Sequence, residues 1–64
     1  MTTYVVATLV PASALAEYAG DMADPGWWAR QSLGKPVTLA DDYVGVVEDT
    51  WVENGDVKGR LVIG

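Results

Sequence analysis

The side chains that could do chemistry in this chain are a run of acids and three tryptophans. Asp41, Asp42, Glu48, Asp49, Glu53 and Asp56 fall within residues 36–57, a stretch with no Lys or Arg. Carboxylates this dense hold calcium when oxygen ligands alternate around a turn glycine, and Asp41-Asp42 lacks that pattern. Two readings of the acids stay open. They form a solvated, solubilising surface, or they imitate phosphates toward a basic groove on another protein. General acid–base work wants a positioned His or a second acid at a defined spacing. The chain has no His and no Cys, which removes the usual general base, the usual metal ligands, thiolate chemistry and disulfides. Ser13 and Ser32 have no base to activate them, and the scattered glycines make no phosphate loop. No enzyme, cofactor or metal is expected.

Trp27-Trp28 is the most unusual dipeptide. Adjacent residues cannot share a direction on a helix or a strand. Either one ring anchors the core and the other caps its edge, or they anchor an interface, where Trp is enriched. Trp27, Trp28, Arg30 and Trp51 are the candidate partner-binding residues.

Charge narrows the partners. Nine acids against four bases give a formal net charge of −5. Nucleic-acid binders neutralise phosphates with a basic surface, so direct nucleic-acid binding is not expected, and an acidic lipid surface is disfavoured for the same reason. The apolar run at residues 4–10 is too short to span a bilayer and lacks the basic flank of a signal peptide. A chain of 64 residues buries only about 60% of its unfolded surface. Without disulfides or metal, the remaining stabilisation is self-association or docking on a larger protein.

These residues must be positioned by a single small domain over residues 1–64, of α+β class. Thr3–Val10 is rich in β-branched residues and apolar on both alternating faces. That pattern predicts a central strand covered on both sides. Ala12–Ala23 predicts an alanine-rich helix, with Leu15, Tyr18, Ala19 and Met22 as its apolar stripe. Asp24-Pro25 reads as an N-cap followed by Pro at the first helical position. It opens a short second helix to Leu33 or an irregular loop. Val37–Leu39 predicts a short strand.

Residues 43–63 predict a β-hairpin turning at Asn54-Gly55, a pair suited to a type I′ turn. Counting outward puts Trp51 opposite Lys58, Asp49 opposite Arg60, Glu48 opposite Leu61 and Val47 opposite Val62. Val44, Val46, Thr50, Val52, Val57, Leu61 and Ile63 then share the core face with Glu48. Glu48 either reaches water at the sheet margin or is a buried carboxylate of the kind used as a general acid. Trp51 beside Lys58 predicts a cation–π contact. The whole is a small sheet or open barrel built from the N-terminal strand, the helix and the C-terminal hairpin.

One segment carries a family likeness. Gly-Lys-Pro-Val at 34–37, the acids at 41–42, Val-Gly-Val-Val at 44–47 and Asn-Gly-Asp-Val-Lys-Gly-Arg-Leu at 54–61 resemble part of the phage prohead (capsid-maturation) proteases. That family has a catalytic His near the acidic pair and a Ser nucleophile further along. Position 40 here is Ala and the sequence holds no His, so protease activity carries over to no residue. The resemblance implies a small β-rich phage head protein. It would be a capsid decoration or head-accessory protein that binds a coat lattice or itself, in the virion or the host cytoplasm. The alternative expectation is an acidic inhibitor, an anti-defence or DNA-mimic protein, acting through the six acids on a basic host protein.

Overall fold

Asn54 (φ 53°) and Gly55 (φ 84°) both take left-handed backbone conformations, the pair of angles a type I′ turn demands. They join two strands, β3 (Asp42–Glu53) and β4 (Asp56–Ile63), the long hairpin around which this computed structural model is built. Residues 2–39 and 42–63 are described, without the side chains of Leu39, Asp42, Tyr43 and Val44. Asp41 lies outside them.

An N-terminal strand, β1 (Thr3–Val10), pairs antiparallel with β4, and a short strand, β2 (Pro36–Leu39), pairs antiparallel with β3. The order β1-β4-β3-β2 makes one curled four-stranded sheet, a half-barrel. The α+β class and the C-terminal hairpin are as the sequence predicts. The place of β1 is not. It is an edge strand, hydrogen-bonded only to β4, with Tyr4 56%, Val5 40% and Val6 61% exposed. Apolar residues on both faces suggested cover on both sides, but the second helix packs over β3 and β4, so that even Val5, on the same face as buried Leu61, stays exposed.

The tip of the hairpin has the register counted from the turn: Val52 opposite Val57, Trp51 opposite Lys58, Thr50 opposite Gly59 and Asp49 opposite Arg60. The ladder then shifts by one at a bulge between Val47 and Asp49, so that Val47, not Glu48, faces Leu61. An extra residue flips every later side chain to the other face. Val47 and Leu61 are buried where Val46 was expected inside, and Val46 pairs with Val62 on the opposite face. Val44's side chain lies outside the described residues. Glu48 is exposed, which removes the buried-carboxylate reading.

A second bulge, between Thr8 and Val10, brings Leu9 to the inner face. Leu9 lies over Gly59, where an added Cβ would come within 2.7 Å of Leu9 Cδ1. Gly45 allows another close approach: a Cβ there would run into the Val62 carbonyl oxygen.

The expected helix over residues 12–23 breaks after one turn. α1 covers only Ala12–Leu15, and a 3-10 turn follows at Gly20–Ala23. Ala19 is extended (φ −132°, ψ 160°) and Gly20 is left-handed (φ 64°). Alanine propensity alone holds no helix of this length, because isolated helices shorter than about 12–15 residues are marginal in water. The stripe meant to anchor it is not buried as one: Leu15 is inside, while Tyr18 (43%) and Met22 (41%) are exposed. Of the two readings left open for the segment after Asp24, the helix is the one that forms: α2 (Pro25–Ser32), with the Asp24 carboxylate accepting from the Gly26 amide at 2.9 Å.

α2 packs on the inner face of β3 and β4, where the Thr50 hydroxyl donates to the Ala29 carbonyl (2.8 Å). Among the described residues the buried apolar side chains are Leu15, Val47, Val57 and Leu61. The interior is correspondingly thin. The radius of gyration is 12.1 Å, against about 10.7 Å for a compact chain of this length.

Candidate interaction surface

The sheet has one covered face and one bare face. α2 covers the inner face at β3 and β4. On the outer face stand Tyr4, Val6 and Thr8 of β1, Lys58, Arg60 and Val62 of β4, and Val46, Asp49 and Trp51 of β3, as strand alternation and the two ladders dictate.

The bases on this face are engaged. Arg60 donates to Glu48 Oε1 at 2.6 Å, because the bulge turns Glu48 toward it. The same guanidinium lies 5.5 Å from the centre of the Tyr4 ring. Lys58 stands opposite Trp51 as expected, but its amine donates to the Thr8 hydroxyl at 2.7 Å. The cation–π contact on this sheet is therefore Arg60 with Tyr4 rather than Lys58 with Trp51.

The tryptophans do not form one patch. Trp27 and Trp28 belong to α2, on the inner side. Trp51 alternates with Thr50, which faces α2, and so points to the outer face. Trp28 is held from two directions. Its indole N–H donates to the Met22 carbonyl at 2.6 Å, and its ring lies 5.7 Å from Tyr18. Trp27 meets it edge-on at 4.9 Å between ring centres. Both rings are half-buried. Arg30 is exposed and folds back along α2, its Nη1 3.4 Å from where a Cβ of Gly26 would stand. Trp28 thus ties the 3-10 turn to α2.

The acids divide as well. Glu48 is paired with Arg60. Asp49 accepts from the Thr50 amide (2.9 Å), and Asp56 accepts from the Ala12 amide (2.6 Å), capping α1 from across the fold. Glu53 is exposed near the hairpin tip. The side chains of Asp41 and Asp42 lie outside the described residues.

A largely apolar cleft of about 260 Å³ opens on the inner side, bounded by Leu9, Val10, Trp28, Gln31, Pro36 and Val47. Among the described residues no cluster of three or more acids is arranged to hold a metal ion, and no helix is long and apolar enough to cross a membrane.

The two sheet edges differ sharply. The β2 side carries several of the devices that discourage strand addition. β2 is only four residues long and begins with Pro36. Beyond it, β3 is bent by the bulge at Glu48 and carries Asp49 and Glu53. The β1 edge has no charged residue from Thr3 to Val10, and its one irregularity sits at the Leu9 end. Tyr4 and Val6, the most exposed apolar residues on this edge, were not singled out by the sequence reading. The signal available was the charge-free run itself.

No protein-family model, no curated protein and no solved structure matches the chain. The likeness of residues 34–61 to prohead proteases therefore rests on those residues alone.

Proposed function

We propose that this chain is a non-enzymatic interaction protein that works by joining its bare sheet surface to another protein, a second copy or a larger assembly. The observation that carries the reading is the contrast between a thin interior and the exposed apolar edge of β1. The four buried apolar side chains among the described residues make a small core, and assembly supplies further burial. In its most specific form, a phage capsid decoration or head-accessory protein, the partner is a coat lattice and the location is the virion or host cytoplasm. That form rests on the resemblance of residues 34–61.

The acidic-inhibitor alternative has less behind it, since Glu48, Asp49 and Asp56 are each engaged within the chain.

The test is thermal unfolding with light scattering over a roughly hundredfold concentration range, because a partner that binds only the folded state raises Tm with its concentration. Tm and mass that climb together support the reading. A constant monomer whose Tm is raised by a metal ion or a nucleotide would replace it with a ligand-binding one.

A further inference from the structure

We infer that the β1 edge is a self-pairing site, where two copies join antiparallel about a two-fold axis to form one continuous sheet. This rests on the interaction reading above and names its surface and its partner.

The edge is built to accept a strand. Thr3–Thr8 pairs regularly with β4, so the hydrogen-bonding groups on its far side are those of an ordinary unpaired edge. Tyr4, Val5 and Val6 stand exposed along it. The other edge of the sheet is short, begins at a proline and is followed by a bulge and acids, whereas this one is regular from Thr3 to Thr8 and carries no charge.

Charge selects a second copy as the occupant. With a net charge of −5, two copies repel over most of their surfaces. They can approach without juxtaposed acids at β1, which has no charged side chain, and the strand behind it presents Lys58 and Arg60 rather than acids. In a β4-β1-β1-β4 arrangement the two β4 strands lie three strand spacings apart, about 14 Å. That exceeds the screening length of about 8 Å at physiological salt, and each base keeps its internal partner.

Symmetry and side-chain size together select the register. Directly opposed residues in a continuous sheet must point to the same face, so the axis passes through a residue rather than between two. An axis at Ala7 would set the irregular Leu9 end opposite Val5, well inside the new ladder, and an axis at Val6 moves it out to the margin, opposite Thr3. The Val6 axis sets Val6 against itself and pairs Tyr4 with Thr8 and Val5 with Ala7, two larger side chains each facing a smaller one, whereas an axis at Val5 would crowd Tyr4 against Val6.

Val6→Lys and Val6→Glu test this in the full chain. Val6 is 61% exposed, and the register places each new charge opposite its own copy. Wild type is expected at twice the monomer mass by light scattering, each variant alone at monomer mass, and an equal mixture of the two variants at dimer mass again. A wild-type dimer that both variants leave intact would overturn the edge pairing while the interaction reading stands. A wild type monomeric from micromolar to millimolar concentration would overturn the self-pairing outright. Should a variant fail to fold, amide exchange of wild-type residues 3–8 decides. Exchange that slows as concentration rises supports the pairing, and exchange independent of concentration overturns it.

Discussion

Leu9 of β1 lies across Gly59 of β4, leaving no room for a side chain at position 59: a Cβ there would sit 2.7 Å from Leu9 Cδ1 and 3.2 Å from Cγ. The contact seats Leu9 on the inner face. Gly59→Ala must push the Leu9 side chain aside, and because the obstruction is the end of a side chain that can turn away, we expect a loss of about 1 kcal/mol, the low end of the overpacking range. Gly45→Ala drives its methyl into the Val62 carbonyl, a backbone atom that cannot rotate away. Urea denaturation should rank Gly45→Ala as the more damaging of the two, and the reverse order would contradict the close approach of β3 and β4 at that point.

Asp56 is expected to matter for an element far from it in sequence. Its carboxylate caps α1 at Ala12, where Pro11, the helix's own N-cap residue, offers no side-chain acceptor. Asp56→Ala should cost about 1 kcal/mol, typical of a lost cap, while Asp56→Asn keeps an acceptor oxygen and most of the stability. Equal losses for the two variants would mean the cap contributes little.

Trp28→Phe keeps an aromatic ring beside Tyr18 and removes the hydrogen bond to Met22. The expected cost is about 1 kcal/mol, together with faster amide exchange in the 3-10 turn at residues 20–23. Unaltered exchange there would show that the indole does not hold the turn.

The Glu48–Arg60 pair is expected to be weak. Its side chains are 39% and 45% exposed, and surface pairs of this kind couple by less than about 1 kcal/mol. A double-mutant cycle with Glu48→Gln and Arg60→Gln should return a small coupling that shrinks as salt is raised. Coupling that high salt leaves unchanged would point to a desolvated pair.

The parts of this fold legible in the sequence are those set by local geometry. Asn54-Gly55 defines its turn, and the register follows outward to Asp49. Asp24-Pro25 opens α2 as its capping chemistry dictates. Legibility stops at Glu48, because Val46 and Val47 are both apolar and alternation cannot tell which faces inward. A bulge is one extra residue and leaves no periodic trace. The place of β1 in the sheet was hidden for a related reason. A strand apolar on both faces reads the same whether its second face meets protein or solvent, and the chain lacks the helices to cover it. Gly20, where the 3-10 turn begins, argued against one continuous helix, but alanine propensity outweighed it. Of the candidate site, Trp27 and Trp28 were visible by type. That Trp28 holds the 3-10 turn with Trp27 packed edge-on against it, while Trp51 stands on the opposite face, depends on side-chain directions that only the folded chain supplies.

The asymmetry between the two edges limits how far assembly can go. A sheet open at both edges is a monomer for polymerisation, each added copy presenting a fresh template to the next. Here Pro36, the brevity of β2, the bulge at Glu48 and the acids beyond it make the far edge a terminator. In the pairing proposed above, each copy would use up its open template at β1, so association through this sheet would close at a pair and would not propagate into a fibre.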